Sequence, residues 1–273
     1  MVYAGGQDLR LGVFDSGLGG ISVLKEIRLR MPSASLAYVA DSAWVPYGSR
    51  GEGFIRQRAR ALADFLVEHG VEIIVVACNT ATAAAVPTLR QSLRIPVVGM
   101  EPAVKPATAA TRNGVVGVLA TVGTLQSARF AALLDQFGSD IEVLTRACPG
   151  LVEQVEAGDL GGPRTRALVE QYVLPLVQGG ADTLVLGCTH FPFLRPLIEA
   201  TAGPGVKVID TGQAVARRVE QVAKELGPQF GARSEAAFWT SGDTARQTSV
   251  VEKLWGRKVA LAELPGEYSG RAE

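Results

Sequence analysis

Cysteine and histidine are scarce in this chain of 273 residues: three cysteines, Cys78, Cys148 and Cys188, and two histidines, His69 and His190. An odd, sparse set of thiols in a chain of this length does not make a disulfide framework. Two imidazoles with no Cys-x-x-Cys argue equally against a structural zinc site. Each cysteine is therefore either a packed apolar residue, the common fate of a free thiol, or a reactive group. Net charge is missing too, because 27 basic residues balance 27 acidic ones. That balance argues against a broad electrostatic footprint for nucleic acid or an anionic membrane, while leaving a local basic patch open. No apolar run is long enough to span a bilayer; even the stretch from Val71 to Val86 is interrupted by Glu72, Asn79, Thr80 and Thr82. Residues 1–12 lack the apolar centre of a secretory signal, so the expected compartment is the cytoplasm.

What the chain does have is apolar content, 47% of residues, enough for a sizeable core, and a length suited to about two domains. Short β-rich runs appear at Leu11–Phe14, Leu36–Val39, Ile73–Ala77, Val97–Gly99, Val115–Leu119, Ile141–Leu144, Thr183–Leu186 and Val206–Ile209. Helical periodicity lies between them, at Gly20–Arg30, Gly53–His69, Leu125–Phe137, Arg164–Val177 and Gln213–Leu226. Continuous apolar strands alternating with helices predict parallel sheets covered on both faces, because parallel strands need crossovers and those are usually helices. The pattern also repeats. Gly12–Ser16 resembles Gly117–Thr121, and Val75–Thr80 resembles Val185–Thr189, in the same order and at nearly equal separations. The predicted fold is α/β: two similar domains, each a mainly parallel sheet flanked by helices, with the active site in the cleft between them. Residues 1–98 plus 211–273 form one domain and 99–210 the other. In the tail, Ala236–Thr240 reads as a last strand and Thr244–Lys253 as a helix packed on the first half.

Ligands in open α/β sheets bind beyond the carboxyl ends of the strands. Four segments arrive there with unusual chemistry. Cys78 and Cys188 each end an apolar run and precede a polar pair. Asn79 or Thr80 is expected to cap a helix over Ala81–Leu89, and the exposed N–H groups of that helix start are expected to favour a thiolate. Two such thiols facing one cleft suit racemisation, in which a proton leaves one face of a carbon and another arrives on the opposite face. Cys148 lacks the polar pair and reads as packing. The turn Asp15-Ser16-Gly17-Leu18-Gly19-Gly20 has neither the dinucleotide spacing nor a P-loop lysine. It is a tight strand-to-helix turn, or a cradle whose N–H groups hold a carboxylate while Asp15 meets an ammonium group or supports a thiol. Residues Asp41–Arg50, punctuated by Pro46 and Gly48, form a loop long enough to be a lid, in which Tyr47 either binds or packs. His190 beside Cys188 can tune its charge, whereas His69 before Gly70 reads as a helix end.

The segments Gly12–Gly20, Pro46-Tyr47-Gly48, Ala77-Cys78-Asn79-Thr80-Ala81 and Leu186–Pro192 together closely resemble the signatures of the glutamate racemases, from about residue 10 to about residue 222. The Cys-Thr-His form is more like these enzymes than their aspartate-specific relatives. The resemblance implies cofactor-independent interconversion of L- and D-glutamate, supplying D-glutamate for peptidoglycan and hence cell-wall biogenesis and cell shape. Cys78 and Cys188 are the implied catalytic thiols, the first acting on D-glutamate and the second on L-glutamate. Asp15, Ser16, Tyr47, Gly48, Asn79, Thr80, Thr189 and His190 are implied to bind substrate or support the thiols. Glu153 and Glu156 follow Cys148-Pro149, and Glu156 better fits the spacing of a supporting acidic residue in the family. No pyridoxal phosphate, metal or nucleotide is implied. The expected partner is glutamate itself, with neither membrane nor direct nucleic-acid contact. The sequence leaves oligomeric state open, a homodimer included, and gyrase binding enters only by analogy with family members. The competing readings are an aspartate or hydantoin racemase, a one-thiol decarboxylase of the same superfamily, or a binding protein that has kept the cleft.

Overall fold

A computed structural model describes residues 9–138, 141–227 and 235–270. Its strands fall into two sheets in which every pairing is parallel. The first sheet contains β1 (Arg10–Asp15), β2 (Ser35–Ala40), β3 (Ile73–Val76), β4 (Val97–Val98), β9 (Ala236–Thr240) and β10 (Leu261–Glu263), in the order β10-β9-β2-β1-β3-β4. The second contains β5 (Val115–Ala120), β6 (Glu142–Ala147), β7 (Thr183–Leu186) and β8 (Lys207–Ile209), in the order β6-β5-β7-β8.

Twelve helices connect these strands among the described residues. In the first half they are α1 (Ile21–Arg30), α2 (Glu52–Glu68) and α3 (Asn79–Ser92). In the second they are α4 (Val104–Thr108), α5 (Val122–Leu125), α6 (Ala128–Phe137), α7 (Leu151–Glu156), α8 (Pro163–Gln178) and α9 (Arg195–Ala202). The chain then returns to the first sheet through α10 (Gly212–Leu226), α11 (Thr244–Trp255) and α12 (Gly266–Ser269). Single 3-10 turns lie at Tyr47–Ser49 and Phe191–Leu194. Among the described residues no helix is long and apolar enough to cross a membrane.

Both faces of each sheet are covered, which is why the central strands read as unbroken apolar runs. Ile74, Val76 and Phe14 pack with Ile55, Leu62 and Leu66 of α2 and Ala85 and Leu89 of α3. On the opposite face, Val13, Ile73 and Val75 share a cluster with α1, α10 and α11 that continues into Leu119, Leu184 and Leu186 of the second sheet. The outer face of the second sheet packs Val116 and Val118 on Val104 and Phe130.

The internal repeat has a structural counterpart at the strand ends. Ala77 N donates to Phe14 O at 2.8 Å, and Gly187 N donates to Leu119 O at 2.7 Å; in each case a cysteine comes next. Asp41 N likewise donates to Asp15 O at 2.9 Å, as Cys148 N does to Ala120 O at 3.0 Å.

Three local expectations are corrected. The helix expected over Leu125–Phe137 is split, because Ser127 accepts from Phe130 N and restarts it. The N-cap of α3 is Cys78 itself, whose sulfur accepts from Ala81 N at 3.4 Å, rather than Asn79 or Thr80. The tail contains more than one strand and one helix: β10 and α12 follow, and β10 pairs with β9.

Candidate active site

The carboxyl ends of β1, β3, β5 and β7 converge on one small cavity of about 10 Å³, space for about one water. It is lined by Ser16, Tyr47, Gly48, Cys78, Asn79, Thr80, Cys188, Thr189 and His190, together with Pro46, Thr121, Thr124, Val152 and Gly187. The two thiols come from opposite halves of the fold. Asp15 and Glu156 are not in its lining; they stand behind it.

Behind Cys78 is a chain of short contacts. Its sulfur lies 3.7 Å from Ser16 Oγ, which in turn lies 3.2 Å from Asp15 Oδ1. Asp15 is fully buried, and its carboxylate also accepts from Ser16 N at 2.7 Å, Gly20 N at 2.6 Å and Thr189 Oγ1 at 3.2 Å. Burial pushes the Asp15 carboxyl above its usual range; Glu156 adds to this, while His190 and the N–H groups of Gly20 and Ser16 oppose it.

Cys188 has a different background. Its sulfur lies 3.7 Å from His190 Nδ1, and His190 Nε2 meets Glu156 Oε1 at 2.6 Å. The same oxygen accepts from Leu18 N at 2.6 Å, and Ser42 Oγ reaches the other carboxylate oxygen at 3.5 Å. Burial alone would lower the His190 pKa, but its hydrogen bonds and charge interactions with Cys188 and Glu156 outweigh that and hold it well above the ordinary value.

Two expectations about this chemistry do not hold. The helix start does not make Cys78 a ready thiolate. Burial first, then the nearby Asp15, push its thiol pKa strongly upward, and the N–H of Ala81 and the hydroxyl of Ser16 offset only part of that. Nor do Ser16 N, Leu18 N and Gly20 N point at an external carboxylate: the glycine-rich turn spends them on Asp15 and Glu156. The close fit explains the glycines. A Cβ at Gly17 would lie 2.1 Å from Glu156 Oε1, and one at Gly19 2.3 Å from His190 Nδ1.

A buried ion pair ties the loop 41–50 to α2. Arg58 of α2 grips both oxygens of Asp41 at 2.8 Å, and Tyr47 OH donates to Asp41 Oδ2 at 2.5 Å. Burial and Asp41 push the Tyr47 phenol well up, so it stays a neutral donor. Across the cavity, the hydroxyls of Thr80, Thr121 and Thr124 form a cluster with separations of 3.0–3.1 Å. Asn79 differs from its neighbours: its side-chain nitrogen and oxygen are buried and have no hydrogen-bond partner among the described residues. A buried, unpaired amide at a cavity wall is costly unless something else pairs with it.

Reading the sequence missed Thr121, Thr124 and Val152, and took Pro46 as loop punctuation and part of a matching segment without placing it in the site. A signal for Thr121 was present, since the repeat aligns it with Ser16. Cys148, read as packing, is buried and lies 3.3 Å from Arg146 O, but it also lines a second cavity of about 320 Å³ that shares Pro46, Gly48, Thr121 and Val152 with the first. His69 ends α2, where Nδ1 lies 2.8 Å from Phe65 O and the ring packs on Phe65 and Trp239; it is not in the cavity lining. No cluster of three or more His, Cys, Asp or Glu residues suited to a metal ion occurs among the described residues.

Comparison with known proteins adds to this geometry. Residues 22–219 match the family described as Asp/Glu/Hydantoin racemase. A glutamate racemase of Pseudomonas aeruginosa is 55% identical over 261 residues, which is 94% of this chain and 98% of that protein. Among solved structures, Escherichia coli glutamate racemase in complex with L-glutamate and the activator UDP-MurNAc-Ala is 32% identical, with a TM-score of 0.85, over 94% of this chain and 98% of that one. Francisella tularensis glutamate racemase in complex with D-glutamate is 26% identical, with a TM-score of 0.82, over 95% and 98%.

Proposed function

Because this chain belongs to the Asp/Glu/hydantoin racemase family, we propose that it interconverts L- and D-glutamate without a cofactor, using Cys78 and Cys188 as opposed acid and base. It is an isomerase; the substrate and the two-thiol chemistry are our reading. The observation that carries that reading is the arrival of two cysteines, from matching strand ends of the two halves, in the wall of one cavity.

The reaction balances within the pair. One sulfur, as thiolate, takes the Cα proton, leaving a carbanion whose charge spreads into the α-carboxylate. The other sulfur, as thiol, gives its proton to the opposite face. The enantiomer leaves with the two sulfurs having exchanged roles. On this reading Cys188 serves L-glutamate and Cys78 serves D-glutamate. Donors aimed at the developing charge lower the barrier, and Asn79 and Thr80 are the groups at hand, while the hydroxyls of Ser16 and Thr189 line the cavity and are oriented by Asp15. Asn79, whose side chain has no partner among the described residues, is the residue with most to gain from a bound substrate. Asp15 and the Glu156–His190 pair support the thiols from behind. The working division of the chain is 1–98 plus 211–273 against 99–210, with glutamate held between. Supply of D-glutamate for peptidoglycan in the cytoplasm is the role that fits this activity.

The test is direct. Purified protein with no added cofactor should interconvert the enantiomers in both directions and, in deuterated water, place deuterium at Cα. Cys78→Ala and Cys188→Ala should each lose racemisation by about 10²–10⁴-fold. Dependence on pyridoxal phosphate, or full activity in either variant, would overturn the mechanism.

A further inference from the structure

The loop that brings Tyr47 and Gly48 to the cavity is not held by its own residues alone. It begins at Asp41, whose carboxylate is fully buried and must be paired. Arg58, itself 5% exposed, supplies the pairing through a two-pronged grip. Its Nη2 also donates, at 2.7 Å, to the backbone oxygen of Tyr268. The next carbonyl, Ser269 O, accepts from Trp44 Nε1 of the loop at 2.9 Å. The Arg58 guanidinium lies 5.9 Å from the centre of the Trp44 ring. Gly270 then turns with φ +66°, and a Cβ there would lie 2.5 Å from Arg58 Nη1, so the chain closes directly on the guanidinium. Tyr268 OH fastens the turn to α2 through Glu68 at 2.5 Å.

We propose that Arg58, seated by the C-terminal turn 266–270, is a positioning residue for substrate binding. It locks Asp41, Asp41 locks the Tyr47 phenol, and the loop keeps its place in the cavity wall while the turn is docked. Without the turn, Arg58 and Trp44 each lose a backbone acceptor more than 200 residues along the chain from them. Water then reaches the guanidinium, and the loop is free to leave the wall. The substrate-affinity part rests on the glutamate reading; the docking of the loop does not.

Two variants test this against the full chain: a chain ending at Pro265, and Trp44→Phe, which keeps one aromatic ring but removes the indole N–H together with the five-membered ring that carries it. The first measurement is amide hydrogen exchange over residues 42–50 in the free protein. The second is KM and kcat with each enantiomer. The shortened chain should exchange about 10-fold or more faster in that loop, with β1–β3 unchanged, and should show KM raised about 10-fold with kcat within about threefold. Trp44→Phe should move the same way, with KM up about threefold, in line with one neutral hydrogen bond. Unchanged loop exchange in both variants overturns the proposal, as does faster exchange spread evenly over the protein. If the shortened chain does not fold, Trp44→Phe alone decides. If neither enantiomer is turned over, the glutamate reading fails, while hydrogen exchange still reports on the clasp.

Discussion

Replacing Glu156 by Gln removes a charge while keeping the shape, and the structure says what should follow. One oxygen of Glu156 accepts both from Leu18 N and on the side of His190 Nε2, at 2.6 Å each, with the imidazole nearly inaccessible to solvent. The amide oxygen of Gln can still accept, so the fold should survive. What is lost is the charge that helps keep His190 cationic. A hydrogen bond to a charged group is worth about 1.5–3 kcal/mol, which corresponds to about 10–100-fold in rate or binding. His190 Nδ1 faces Cys188, so kcat/KM should fall by that factor. It should fall equally in both directions, because the two enantiomers have the same free energy in water. With only two histidines in the chain, imidazole NMR resolves the titration directly. In the parent His190 should remain charged through neutral pH, and in Glu156→Gln its pKa should drop toward the ordinary value. Stability follows with a definite sign. A histidine whose folded pKa is raised contributes stability that is fully present below the unfolded value and is lost as pH rises through the folded one. The melting-temperature gap between parent and variant, roughly 3–12 °C at acidic to neutral pH, should therefore close at alkaline pH. An unchanged His190 titration, with kcat/KM within threefold of the parent, would refute the argument.

Asn79→Ala discriminates a binding group from a structural one. Its amide has no partner to lose among the described residues, so melting should shift by less than about 1 kcal/mol equivalent, while KM for glutamate rises about 10–100-fold; a large stability loss with KM unchanged would make Asn79 structural. Gly19→Ala drives a methyl to 2.3 Å from His190 Nδ1, where the ring is held from both sides by Cys188 and Glu156. It should cost about 1–3 kcal/mol in denaturant unfolding and lower kcat/KM at least about 10-fold. Parent-like values for both would mean that the turn has room the structure does not show.

Most of the sheet architecture was legible because buried parallel strands advertise themselves locally. β1, β3, β5 and β7 are apolar at nearly every position and buried throughout, apart from the first residues of β1 and β5. What escaped was short or set by distant partners. β10 has three residues, two of them exposed, and α7 has six, entered through Gly150 at φ +89°. Neither is long enough to show a period. The cysteine-bearing edges could be read because their polar residues are contiguous in sequence, as in Asn79-Thr80 and Thr189-His190. The thiolate expectation failed for the opposite reason. A helix start is visible locally, but Asp15 and the burial that reverse its effect on Cys78 belong to the assembled fold. Arg58 lay equally out of sight, since nothing in its own helix marks it as the partner of Asp41.

The same contrast bears on how a racemase-type site works. A repeated scaffold brings two thiols to equivalent strand ends, yet their surroundings are not equivalent. Cys78 sits against Ser16 and Asp15, where burial and a neighbouring acid keep its proton on. Cys188 sits against an imidazole whose pKa is raised by its contacts with Cys188 itself and with Glu156. On the proposed mechanism one sulfur must begin as acid and the other as base, and a symmetric environment would leave that choice to chance. Asp15 links the two sides, reaching Ser16 behind one thiol and Thr189 beside the other. On that mechanism the burial and the acid beside Cys78 favour Cys78 as the proton donor in the free protein, the arrangement proposed for L-glutamate. Turnover of D-glutamate requires the opposite proton arrangement. Since kcat/KM must be equal in the two directions, the cost of that rearrangement has to appear as a difference in kcat and KM separately, D-glutamate against L-glutamate, and it should shrink when the Glu156 charge is removed.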